Sequence, residues 1–217
     1  MSDMWADLTE YLSTHGEAVL IQFRDHLTVS ILAILLASVI GIPLGYLASK
    51  SERSERWVTG PFQVLRVVPS LAILVLLIPI MGTGIKPAAT ALTILAFPPV
   101  ILNTIVGFRQ VPDFMIECAE GIGMTKREQL WKVRVPLALP MIFAGVRTGL
   151  VEVIASATLA AKIGAGGLGE IIFTGLGLNR SDLLILGGAS VAILSLGCGA
   201  LFDLVAARVF QYKVRET

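Results

Sequence analysis

A chain of 217 residues that is 55% hydrophobic and only 15% charged, with a mean hydropathy of +0.80, carries more apolar surface than a soluble core of this size uses. A net charge of +1, with no interleaving of aromatic and basic residues, points away from nucleic acid as a partner. The composition predicts an all-α polytopic membrane protein, because a helix needs roughly 20 apolar residues to cross about 30 Å of hydrocarbon.

In chain order, residues 1–25 form an extracytoplasmic N-terminal segment. It opens on Asp3, Asp7 and Glu10 and has no apolar core of the kind a cleavable signal carries. Trp5, Leu8, Tyr11 and Leu12 recur at helical spacing, which fits either a short amphipathic helix on the outer membrane face or a partly ordered tail. A single transmembrane domain follows over about 26–208, with spans at about 27–49, 67–85, 87–108, 136–161 and 183–203. The first span contains Gly41-Ile42-Pro43-Leu44-Gly45, which should loosen its second half, and Pro69 and Pro79 should kink the second. A polar loop over 109–135 separates the third span from the fourth, and residues 209–217 are a basic tail.

Five spans put the termini on opposite sides. One alternating set of loops holds Lys50, Arg53, Arg56, Arg109, Lys126, Arg127, Lys132, Arg134, Arg208, Lys213 and Arg215; the other holds Arg24, Lys86, Lys162 and Arg180. The positive-inside rule makes the first set cytoplasmic, so the N-terminus lies outside and the C-terminus inside. Cys118 then falls in a cytoplasmic loop and Cys198 in the last span, which argues against a disulfide. His15 and His26 both lie outside, so no metal site is expected.

The loop at 109–135 is too long for a turn. Pro112-Asp113 reads as a helix start, with Phe114, Ile116 and Ala119 on one apolar face beside Glu117 and Glu120. Gly121 and Gly123 should break that helix. Thr125 can cap a second one with Glu128 as its capping-box partner, giving a helix-turn-helix against the membrane. The loop runs Glu117-Cys118-Ala119, three residues, Gly123, nine residues, then Val133-Arg134-Val135-Pro136. This resembles the E-A-A, x3, G, x9, I-x-L-P signature of permease subunits in binding-protein-dependent ABC importers, with Cys118, Val133 and Val135 as departures.

The resemblance implies a type I importer permease fold in which Glu117, Cys118, Ala119, Gly121, Gly123, Met124, Thr125 and Pro136 build the coupling loop that docks a separate ATPase. Pro136 starts the fourth span and ties the docked element to it. Small Ala119 permits close approach of the partner. The segments Val68-Pro69-Ser70-Leu71-Ala72, Gly121-Ile122-Gly123-Met124-Thr125, Ala144-Gly145-Val146-Arg147-Thr148 and Ala157-Thr158-Leu159-Ala160-Ala161 are similar to the osmoprotectant branch, which carries glycine betaine, carnitine and choline. Methionine-importer permeases are the nearest competitor, and an ion-gradient-driven transporter is a further alternative. Implied partners are ATPase subunits, a second permease copy or paralogue, an extracytoplasmic binding protein and membrane lipid, in a bacterial inner membrane. No Walker motif is present, so the chain is expected to be no enzyme, with no cofactor of its own and ATP and Mg on the partner.

Ser70, Asn103, Glu152, Ser156 and Thr158 are polar or charged residues within or at the edge of spans. They are candidates to line a substrate path, or else to hydrogen-bond between helices. Glu152 could balance a passing quaternary cation. Arg147 lies five residues away, roughly 140° round a helix, so it should pair elsewhere, with a carboxylate or a helix terminus. Gly164, Gly166, Gly167 and Gly169 formally include GxGxxG, but no strand precedes them; an outer hinge, gate or close-packed turn fits better than a dinucleotide site.

Overall fold

The computed structural model describes residues 2–210, and among these all regular structure is helical. The elements are α1 (Ser2–Ser49), α2 (Glu52–Leu65), α3 (Ser70–Met81), α4 (Ile85–Arg109), α5 (Asp113–Gly121), α6 (Lys126–Gln129), a π turn (Leu130–Arg134), α7 (Val135–Ala160), a 3-10 turn (Ala161–Ile163), α8 (Gly169–Leu178) and α9 (Ser181–Val209). Four helical stretches are long and apolar enough to cross a membrane, and the pair α2–α3, bent by 94°, adds a fifth only where the two count as one broken span.

The stretch expected as a separate segment at 1–25 continues α1 without a break. Before Pro43 the stretch holds no proline and just two glycines, Gly16 and Gly41, so the 48-residue helix runs on. Trp5 is exposed, whereas Tyr11 stacks on His15 and lies under the Arg180 guanidinium, 5.8 Å from ring centroid to carbon.

The span expected over 67–85 holds only the short α3, with α2 just ahead of it. Ser51 caps α2 by accepting from the Ser54 amide, and α2 carries Pro61 inside it. Pro69 then bars a helical conformation at Val68, so the chain breaks after Leu65 and restarts at Ser70. With 14 and 12 residues, the two reach about 21 and 18 Å, and neither crosses alone.

The expected single domain divides into two compact units, because helices of this length feed more than one core. The first combines the chain up to Leu36 with Val68–Ala96 and Leu150–Ala200. Its centre includes Leu74, Leu92, Ile154, Leu168, Ile171 and Leu183, all nearly inaccessible. The second combines Ala37–Val67, Phe97–Gly149 and the chain from Leu201. There α1 lies close on α4: a Cβ on Gly45 would sit 2.6 Å from Thr104 Cβ, and one on Gly41 would sit 3.0 Å from Val100 Cγ1. The segment expected to loosen α1 is therefore a close-packing stripe of small residues four apart, and α1 continues through Pro43. Around it Ala48, Ile101 and Ile105 form one core cluster, and Phe108, Ala138 and Ile142 another.

Large apolar side chains point outward along these helices, among them Val39, Leu76, Ile193, Leu196 and Leu201. In water such a surface would be costly; in hydrocarbon it is the expected exterior.

Candidate functional site

The site is built on α5, a nine-residue helix in the second unit. Pro112 precedes it in an extended conformation, and Asp113 places a carboxylate at its positive end. Its other end is a Schellman closure: the Met124 amide donates to the Ala119 carbonyl at 3.0 Å and the Gly123 amide to Glu120 at 2.9 Å. Gly123 sits at φ +81, where a side chain would be strained by about 1–2 kcal/mol. Gly121, expected to share the breaking, is the last residue of the helix, with open space where a Cβ would go.

Thr125 then caps α6, accepting from the Glu128 amide at 3.3 Å, while Glu128 accepts from the Thr125 amide at 3.0 Å. The Thr125 amide first, then Lys132 and the Thr125 hydroxyl, hold the Glu128 carboxyl down at about 2, so it stays ionised at neutral pH. The second helix of the expected helix-turn-helix does not stand apart: α6 passes through the π turn directly into α7. Pro136 is the second residue of α7, beside the expected start of the span, but the helical stretch continues upstream of it through the π turn. Pro136 has no amide for the Lys132 carbonyl, and the Val135 amide bonds back to Leu130, so the ladder re-registers by one residue here. Motion of the loop would thus reach α7 along continuous helix.

Ala119 is 4% exposed and packs into its own chain, so the closeness it permits is internal. The outward stripe is Phe114, Cys118 and Ile122, four apart, with Phe114 61% and Ile122 74% exposed and Glu117 exposed alongside. Phe114 therefore lies on the opposite face from the one expected, since five residues separate it from Ala119. Trp131 is exposed as well. The 114/118/122 spacing was visible in the sequence; which face turns inward was not.

Behind α5 is a cavity of about 550 Å³ lined by Tyr46, Lys50, Phe108, Arg109, Ile116, Glu120, Lys126, Gln129 and Arg134 among others. Arg109 pairs with Glu55 at 2.5 Å, fixing the end of α4 to α2, and Lys50 lies 4.7 Å from the Tyr46 ring centre. The loop is held at its base and open beneath.

The polar span residues divide between the two units. Asn103 belongs to the second unit, donates to the Pro99 carbonyl of its own helix at 2.8 Å, and leaves no room for a Cβ on Gly145 of α7. Ser70, Glu152, Ser156 and Thr158, all half-buried, belong to the first unit, and Thr158 bonds to its own helix at the Ala155 carbonyl. Arg147 ion-pairs with Asp203 of α9 (Nε to Oδ1 2.7 Å) and donates from Nη2 to Oδ2 at 2.8 Å. The carboxylate that pairs with it lies 56 residues away, a partner that local spacing could not name.

The glycine run forms a close-packed turn. Gly164, Gly166 and Gly167 all have positive φ, and the Gly84 amide donates to the Ile163 carbonyl at 2.7 Å. A Cβ on Gly167 would lie 3.1 Å from His26 Nδ1, and one on Gly169 would lie 2.0 Å from the Thr158 carbonyl oxygen. His26 itself is buried and donates from Nε2 to the Ile154 carbonyl at 3.0 Å, so it is a structural strut that its place at the edge of a span did not reveal.

The described residues thus form long apolar helices interrupted by a capped helix with an exposed apolar stripe. Residues 27–213 match the family described as "Binding-protein-dependent transport system inner membrane component", and the chain belongs to it. It is 42% identical over 189 residues to the carnitine transport permease protein OpuCB of Listeria monocytogenes, covering 87% of each chain. It is 38% identical to the choline transport system permease protein OpuBB of Bacillus subtilis, again over 87% of each. Its fold is that of a chain in the inward-facing MetNI methionine ABC transporter (TM-score 0.74, 22% identity, 91% of this chain and 97% of that one). A chain from the crystal structure of an amino acid ABC transporter with histidines is also similar (TM-score 0.75, 18% identity, 91% of this chain and 96% of that one).

Proposed function

We propose that this chain is the permease subunit of an ATP-driven importer for quaternary ammonium osmoprotectants such as glycine betaine, carnitine or choline. The carrying observation is identity of 38 to 42% to carnitine and choline permeases over 87% of the chain. The likeness to methionine and amino-acid transporters is one of fold, at 18 to 22% identity, and does not choose the cargo.

In this reading α5 docks an ATPase through Glu117 and the Phe114–Cys118–Ile122 stripe. Gly121, Gly123, Met124 and Thr125 fix the turn, and the helical path through Pro136 transmits the stroke into α7. ATP and Mg stay on that ATPase, and this chain holds no cofactor. A second permease copy or paralogue completes the path, and an extracytoplasmic binding protein delivers the cargo. The distribution of Lys and Arg supports an outside N-terminus and a cytoplasmic C-terminus. Ser70, Asn103, Glu152, Ser156 and Thr158 are retained as candidates for the path, and the turn at Gly164, Gly166, Gly167 and Gly169 as its outer gate.

The test is uptake into proteoliposomes holding the permease, its cognate ATPase and binding protein. ATP-dependent accumulation of labelled betaine, carnitine or choline, with methionine left outside, is the expected result. Methionine accumulation would contradict the cargo, and uptake without the ATPase would contradict the energy source.

A further inference from the structure

The Arg147–Asp203 pair is not sealed by protein: 41% of the Arg147 side chain and 59% of the Asp203 side chain are accessible. Arg147 lies well inside its apolar helix, where a charge facing hydrocarbon costs about 2.5 kcal/mol or more at mid-depth, and Asp203 near the end of its own, so this face meets protein or water. Beside the pair is a cleft of about 180 Å³ whose wall contains Phe143, Phe202 and Phe210. Phe143 contacts both other rings, at 6.1 Å to Phe202 and 5.4 Å edge-on to Phe210. For scale, a cavity of about 150 Å³ admits a benzene-sized molecule.

We infer that this cleft is a transit site for a small zwitterion bearing a quaternary ammonium group. The methyls would lie on the phenylalanine faces with the ammonium toward Asp203, and the ligand carboxylate would take Arg147. Aromatic faces attract such cations, by about 0.5–1 kcal/mol per exposed contact and more when dry. The charge balance fits the same ligand. The empty site is already neutral, so a zwitterion exchanges one internal ion pair for two ligand pairs and leaves no charge uncompensated. A purely cationic ligand would leave Arg147 without a counter-charge. The inference rests on the osmoprotectant reading and adds a cargo site on the permease itself.

The test uses the permease–ATPase complex in lipid nanodiscs without binding protein, probed by saturation-transfer NMR with three small molecules. These are glycine betaine, tetramethylammonium and 3,3-dimethylbutyrate, which has the shape of betaine without its positive charge. Betaine should receive saturation and the uncharged-head isostere should not. Phe202→Leu keeps the ion pair and an apolar wall, and should cut the betaine signal about threefold, the loss of one exposed cation–π contact. Asp203→Asn should cut betaine and whatever weak tetramethylammonium signal there is, whereas Arg147→Gln should cut betaine and raise tetramethylammonium, which in the wild-type site leaves Arg147 unpaired. Equal signals for betaine and its isostere, or a betaine signal unchanged in both Phe202→Leu and Asp203→Asn, overturn the inference. Uptake of betaine by the wild-type system without any NMR signal overturns this site alone; uptake of methionine in its place overturns the site and the cargo reading together.

Discussion

Replacing Gly169 by alanine should remove folded permease from the membrane. The added Cβ would lie 2.0 Å from the Thr158 carbonyl oxygen, 2.8 Å from the carbonyl carbon and 2.9 Å from Ala161 Cβ. Two of these are backbone atoms at the end of α7, which cannot rotate aside as a long side chain would. Relief requires α8 and α7 to part where Leu168 and Ile171 are fully buried. A single added methylene in a packed core typically costs 1–3 kcal/mol, so at least about 3 kcal/mol is expected here, a large part of a membrane domain's margin. Gly177, in the same helix, has nothing within 4 Å of its missing Cβ, and Gly177→Ala should be neutral or slightly stabilising. Membrane abundance and monodisperse elution in mild detergent check both; a Gly169→Ala protein that accumulates and transports normally would refute the packing described.

The second large effect concerns the outward face of α5. Phe114→Asp combined with Ile122→Asp should leave the permease folded, because both side chains are mostly exposed and surface changes usually stay within about 0.5 kcal/mol. It should nonetheless abolish uptake and co-purification of the ATPase. Two apolar anchors at the centre of a small interface contribute about 2 kcal/mol or more each, so docking should weaken roughly a thousandfold. Introduced carboxylates would also have to be desolvated in the cleft. Normal uptake by this variant would show that the stripe is solvent-exposed without a role. Trp131, outside the stripe, offers a comparison: if docking is confined to α5, Trp131→Ala should weaken it far less.

Much of this was legible in the sequence because it is local. Apolar run length announced the long helices. Gly123 announced the end of α5, since only a residue tolerant of positive φ closes a Schellman turn cheaply, and Thr125 with Glu128 announced the capping box. What failed to show depends on partners far along the chain or on helix physics that spacing does not encode. Pro69 was read as a kink, but together with the preceding Val67-Val68 it ends one helix and starts another. Pro136 was read as the start of a span, and α7 does begin beside it at Val135, but a π turn upstream, which spacing did not announce, keeps the helix continuous. Gly41 and Gly45 looked like weak points in α1 and are instead where α4 comes closest. Neither Asp203 as the partner of Arg147 nor Ile154 as the acceptor for His26 could be chosen from a list of polar residues. The orientation of α5 was misread for a local reason: Phe114 and Ala119, expected on one face, are five apart, about 140° round a helix, and Ala119 faces in while Phe114 faces out.

Cys118 offers the most direct measurement, because it is a native thiol on the outward stripe, with Cys198 half-buried in α9 as the other cysteine of the chain. In a Cys198→Ser background, the rate at which a membrane-impermeant maleimide labels Cys118 can be compared between the permease alone and the permease assembled with its ATPase, both in inside-out vesicles. Docking on α5 predicts rapid labelling of the free permease and labelling slowed at least about tenfold in the complex, with uptake blocked once the free thiol has been modified before assembly. Equal rates in the two states, with the ATPase bound and active, would contradict it.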